Sequence, residues 1–194
     1  MPAAAAPPRS SFAIDVPAVL LGRARQGEVA AYEQLYRWFE RPVFTLAFRL
    51  TGEREEAQDV LQDTMLKLFD KLGEFRGDSP FWGWLRQIAV NEALMRLRKR
   101  GRLPLEADVD IELEAHDTVL PPQAADAAVL GKALAQLPEA TRSVLWLYHA
   151  EGYTHEEIAG AMGRTISFSK SQLARGTRKL RALLDIGTEV TTHG

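Results

Sequence analysis

Few of the chemistry-bearing residues of this 194-residue chain stand at catalytic or metal-ligating spacing. His155-Glu156-Glu157 opens like a zinc-protease helix, but the second ligand belongs four residues after His155, where Ala159 stands. His116, His149 and His193 are scattered, and the chain has no cysteine. Thiolate metal centres, disulfides and cysteine nucleophiles are therefore excluded, as a cytoplasmic protein would allow. There is no glycine-rich phosphate loop either. No metal, cofactor or enzymatic activity is expected.

The remaining chemistry is that of recognition. Phe75-Arg76-Gly77-Asp78-Ser79-Pro80-Phe81-Trp82-Gly83-Trp84-Leu85 is a glycine-bearing loop running into three aromatics within four positions. From Arg86 to Arg102 follow six Lys/Arg against one acid, Glu92. Rings beside a cationic track suit single-stranded nucleic acid: each base stacked on a ring contributes ~1–3 kcal/mol, and the cations follow the backbone. The same aromatics could be core. Trp84, Leu85 and Ile88 are expected inside, and Trp82 is the candidate for exposure.

A second basic cluster, Arg164–Arg181, has six Lys/Arg and no acid, whereas Leu103–Ala127 has seven acids and no Lys or Arg. The net charge of −2 hides this segregation. Basic clusters inside helical patterns are the footprint of phosphate contacts, though a charge run can also be only a solvated face.

The elements that must position these residues read as almost all helix, since strand-like alternation is weak and β-branched residues are sparse. Apolar periodicity marks helices near 17–26, 29–50, 53–72 and 81–100, broken at Gly52 and over Gly73–Pro80. The expected organisation is a disordered Ala/Pro-rich leader (1–15), a helical domain (16–100), an acidic linker (101–125), a second helical domain (126–185) and a frayed tail (186–194). No apolar run approaches the roughly 18 residues of a membrane span, so a soluble chain without membrane insertion is expected.

In the second domain Pro138 starts one helix, where its missing N–H costs nothing. Thr154 and Glu157 form a capping box for the next, whose buried face is Ile158, Ala159 and Met162. Gly163-Arg164-Thr165 is a turn. Ser167 is read as the cap of a longer helix with the apolar stripe Leu173, Thr177, Leu180 and Leu184. Its other face carries Lys170, Ser171, Ala174, Arg175 and Arg178. A short helix, a glycine turn and a basic second helix together match the helix-turn-helix motif in preference to the alternative, an αα-hairpin with a charged outer face.

In the first domain the 53–72 helix turns Ala57, Leu61, Leu68 and Leu72 inward. Its outward face is read as Glu56, Asp59, Gln62, Asp63 and Asp70, either solvated or docked to a basic protein surface.

Three strings in this order, GEREEAQDVLQDTMLKLFDKL, FRGDSPFWGWLRQIAVNEALMRLRKR and LPEATRSVLWLYHAEGYTHEEIAGAMGRTISFSKSQLARGTRKLRALL, resemble bacterial RNA polymerase sigma factors of the sigma-70 family's extracytoplasmic-function (ECF) group. The resemblance covers about 19–184. It implies two helical domains, sigma2-like and sigma4-like, on a flexible acidic linker threading near the polymerase active centre. Glu56, Asp59, Gln62, Asp63, Lys67 and Leu68 would bind the clamp helices of the polymerase β′ subunit. Arg76, Gly77, Asp78, Ser79, Phe81, Trp82, Asn91 and Arg98 would recognise and open the −10 element, with a non-template base flipped into a pocket. Thr154, Arg164, Ser167, Lys170, Ser171, Ala174, Arg175 and Arg178 would read the −35 element in the major groove. The implied partners are core RNA polymerase (β′ clamp helices and β flap), promoter DNA and an anti-sigma factor.

The chain departs from the family pattern at Met95, where an acid is common. The second helix, usually close to GTVKSRLHRAR, reads SFSKSQLARGT here. Gln172 and Thr177 replace arginines, and Gly176 sits inside the helix, at about 1 kcal/mol relative to Ala. The C-terminal extension of some family groups is not expected. Two other readings stay open: a stand-alone dimeric helix-turn-helix regulator, and a sigma-like decoy for an anti-sigma factor.

Overall fold

The computed structural model describes residues 14–101 and 127–191. The leader and the acidic linker lie almost wholly outside the described residues, which contain eight α-helices, a short 3-10 turn and no strand. They divide into two compact units at Arg100.

The first unit holds α1 (Ala18–Arg25), α2 (Val29–Thr51), α3 (Arg54–Lys71), a 3-10 turn (Leu72–Glu74) and α4 (Phe81–Lys99). Leu35, Phe39, Val43, Leu46 and Leu50 recur at helical spacing on α2 and are buried. α2 packs against α3 and α4, on which Ala57, Val60 and Leu68 and Leu85, Ala89, Ala93, Leu94 and Leu97 are likewise buried. Gly52 ends α2 in the left-handed region at φ 76°, and its N–H returns to the Phe48 carbonyl at 2.8 Å.

The aromatics at the start of α4 build a cluster. Trp82 lies parallel to Phe39 with ring centres 6.0 Å apart, and Phe81 is 5.2 Å from the same ring. Trp82 is therefore only 6% exposed, against its expected exposure. The cause is tertiary: α4 begins at Phe81, so both residues enter its first turn facing α2. Leu85 is buried as expected, while Trp84 and Ile88 keep part of their surface.

The second unit holds α5 (Ala127–Ala135), α6 (Glu139–His149), α7 (His155–Met162) and α8 (Ile166–Thr191). Pro138 occupies the N-cap of α6. The capping box of α7 is complete. The Glu157 N–H donates to Thr154 Oγ1 at 3.1 Å, and the Thr154 N–H to Glu157 Oε2 at 2.8 Å. Gly163 closes α7 in the left-handed region, and the following Arg164 N–H returns to the Ala159 carbonyl. The residue that caps α8 is Thr165, whose hydroxyl accepts the Phe168 N–H at 3.1 Å; Ser167 lies exposed in the first turn. The fraying expected from 186 does not occur at once, because helical backbone continues to Thr191.

Candidate polymerase and nucleic-acid interfaces

On α3, Asp59 and Gln62 are exposed and Asp63 and Lys67 half-buried. Leu68 is buried in the core, as its place in the inward stripe predicts, and lies behind the docking face that the resemblance implies. Glu56, expected outward, is only 3% exposed. It is tolerated there because α4 supplies cations: Arg100 pairs with it, and an Arg96 nitrogen lies 3.8 Å away.

These contacts belong to an ion-pair ladder along the α3–α4 seam. Lys67 pairs with buried Glu92. Arg96 donates to Asp59 Oδ2 at 2.8 Å and to Asp63 Oδ2 at 2.7 Å. Arg100 also reaches Glu53 at 3.3 Å. Burial works against the Arg96 charge, but pairing with Asp63 and Asp59 outweighs it and raises the guanidinium pKa above its ordinary value.

Sequence reasoning missed the apolar part of this face. Leu66 and Phe69 are 59% and 58% exposed, falling four and seven residues after Gln62 on the same side of the helix. Phe69 packs on Tyr32, whose hydroxyl donates to the Phe69 carbonyl. Beside them is a groove of about 320 Å³ lined by Val29, Tyr32, Glu33, Tyr36, Met65 and Leu68. The available signal was Leu66 and Phe69 standing outside the inward stripe of Ala57, Leu61 and Leu68.

The loop before α4 is held from below. Arg25 of α1 donates to the carbonyls of Leu72 and Phe75, fixing the backbone from which Arg76, Gly77, Asp78 and Ser79 emerge exposed. Gly77 sits at φ 85°, which favours glycine. Along α4, Asn91 and Arg98 are exposed, and Asn91 Oδ1 accepts from Gln87 at 3.2 Å. With Phe81 and Trp82 buried, the aromatic that retains surface near the loop is Trp84, in contact with Phe75 and Phe81.

In the second unit Ser167, Lys170, Arg175 and Arg178 are exposed on α8, with Ser171 and Ala174 partly exposed between them. Arg164 lies over the Phe168 ring at 5.6 Å. Thr154 is committed to its cap. The departures from the family pattern lie on the inner face. Gln172 accepts from the Thr141 hydroxyl at 2.6 Å, and Thr177 is buried. A Cβ on Gly176 would stand 2.6 Å from side-chain atoms of both Thr141 and Leu145. Glycine here is the condition for α6 and α8 to pack this closely, not simply a weak helix residue.

His155 stacks on Tyr148, and its Nδ1 lies 2.9 Å from the Ser169 hydroxyl. Its pKa is lowered by burial and by Lys170, against a smaller opposing effect of Glu156; burial lowers that of His149. Among the described residues no His, Asp or Glu cluster could hold a metal, and no helix is long and apolar enough to cross a membrane.

Residues 35–103 match the family described as Sigma-70 region 2, and residues 127–180 match Sigma-70, region 4. RNA polymerase sigma-H factor of Pseudomonas aeruginosa is 32% identical over 168 residues, 80% of this chain and 87% of that protein. ECF RNA polymerase sigma factor SigM of Mycobacterium tuberculosis is 32% identical, covering 86% of this chain and 84% of its own. ECF RNA polymerase sigma-E factor of Escherichia coli is 30% identical, covering 81% and 88%. Among solved structures, the sigma factor RpoE of Bartonella quintana, in complex with the anti-sigma factor NepR, matches with a TM-score of 0.53 and 29% identity. The match covers 81% of this chain and 99% of that one.

Proposed function

Since the chain belongs to the sigma-70 family of RNA polymerase sigma factors, in its ECF group, we propose that it acts in the cytoplasm as a promoter-specificity subunit. It binds core RNA polymerase, reads a −35 element as duplex and captures unpaired bases of a −10 element. It does no covalent chemistry. Opening is driven by differential binding, because a protein that holds the displaced strand better than the duplex shifts the equilibrium toward the open state.

The observation that carries this reading is the presence, in family order, of two units with outward faces of different chemistry. Asp59, Gln62 and Asp63, flanked by Leu66 and Phe69, suit a cationic, partly apolar protein surface. Buried Glu56 and Leu68 contribute by supporting that face from behind. Arg76 to Ser79, Asn91 and Arg98 line the strand-capture side, with Asp78 and Asn91 offering hydrogen bonds to a base edge and Trp84 as the adjacent ring. Lys170, Ser171, Ala174, Arg175 and Arg178 form the −35 reading face. There a bidentate contact to guanine is worth ~1–3 kcal/mol of discrimination.

The departures at 172, 176 and 177, which would favour the decoy alternative, lie against α6, away from the basic face. A stand-alone regulator would leave the α3 face and the loop before α4 unused. An anti-sigma partner is also inferred, a solved relative having been crystallised with one.

The test is transcription by core polymerase and this chain on genomic fragments, with RNA 5′ ends sequenced. Start sites sharing two short upstream elements are expected. Core polymerase that gains no defined start sites would sink the reading.

A further inference from the structure

The two carboxylates on the exposed face of α3, Asp59 and Asp63, stand one helical turn apart and repel each other. One guanidinium of α4 bridges them: Arg96 places Nη1 on Asp59 Oδ2 and Nη2 on Asp63 Oδ2. The planar fork can serve both acids at once, which a lysine ammonium at the same position could not do with the same geometry. The other seam cations are committed elsewhere, Lys67 to Glu92 and Arg100 to Glu53 and Glu56. Among the described residues, Arg96 is thus the cation that reaches Asp59 and Asp63. Each bond uses Oδ2, and both paired side chains keep surface, 55% exposed for Asp59 and 37% for Asp63.

We propose that Arg96 is a positioning residue for polymerase docking: it fixes Asp59 and Asp63 in one arrangement, so that a cationic partner meets two preset carboxylates. The inference rests on the reading that the α3 face docks polymerase. Its physical content is preorganisation, since acids already ordered in the free protein lose less freedom on binding. Simple charge counting gives the opposite sign. Removing a cation from an acidic face should tighten the docking of a basic surface, most of all at low salt.

The experiment measures the affinity of the full chain for core RNA polymerase at low and high salt, with the thermal midpoint of each variant as a check on folding. Arg96→Gln is expected to weaken binding roughly three- to tenfold at both salt concentrations. Arg96→Lys, which keeps the charge and loses the fork, should recover only part of that loss. In an Asp59→Asn, Asp63→Asn background, Arg96→Gln should add little, because the neutral amides no longer offer a cationic partner the carboxylate pair that Arg96 holds. Binding by Arg96→Gln as tight as wild type or tighter overturns the proposal, as does a loss undiminished in the Asn background. Should Arg96→Gln not fold, Arg96→Lys carries the test, and wild-type affinity for it overturns the proposal. Failure of the underlying reading looks different: either the wild type does not bind core polymerase, or the double Asn variant binds as well as the wild type does.

Discussion

Gly176 shows how one residue can be misread along the chain and explained across it. Helix propensity makes Ala better than Gly by about 1 kcal/mol. Packing reverses the sign here, because the added methyl would meet Thr141 and Leu145 at 2.6 Å. Overpacking of this kind costs about 1–3 kcal/mol, so Gly176→Ala is expected to lower the stability of the second unit. Amide exchange of α6 and α8 in the full chain would report it; unchanged or slower exchange would contradict the packing argument. Trp82 carries the same lesson. Its exposure was not legible from 81–84, because its partner Phe39 lies on another helix. Trp82→Ala should destabilise the first unit by about 3–5 kcal/mol, read from its denaturant midpoint. Glu56 was misplaced for a related reason: helical spacing puts it outward, and only the tertiary approach of Arg96 and Arg100 makes its burial tolerable.

Elements were more legible than contacts, because their ends are encoded locally. Gly52, Pro138, the Thr154 capping box and Gly163 each mark a boundary by backbone chemistry that needs no distant partner. The α3 face was half legible. Its acids follow from spacing, but the exposure of Leu66 and Phe69 follows from where α2 and α4 pack. Replacing Lys170 and Arg175 of α8 by Ala is expected to weaken promoter binding and to flatten its salt dependence. The log–log slope should fall by roughly 0.9 for each phosphate contact removed. An unchanged slope and affinity would remove α8 from the DNA face. Two histidines of the second unit, His149 of α6 and His155 of α7, also set a pH response. His149 and His155 have lowered pKa values in the fold, so the unfolded chain binds more protons just below its own histidine value. Their contribution is therefore present above pH of about 6.5 and lost as pH falls below it. The unfolding midpoint of the second unit should drop on acidification through that window; a midpoint that rises there would contradict the assignment.

For the whole molecule, function rests on two units of different charge logic in one chain, an acid-and-apolar face in the first and a basic helix in the second. Under the proposed function, neither carries out promoter opening alone. The most direct measurement is permanganate reactivity of unpaired thymines on a promoter identified from mapped start sites. Reactive thymines are expected in the −10 element only when core polymerase and this chain are both present. Specific duplex binding by the chain alone, with no reactive thymines after core polymerase is added, would contradict the proposed function and identify a plain helix-turn-helix regulator.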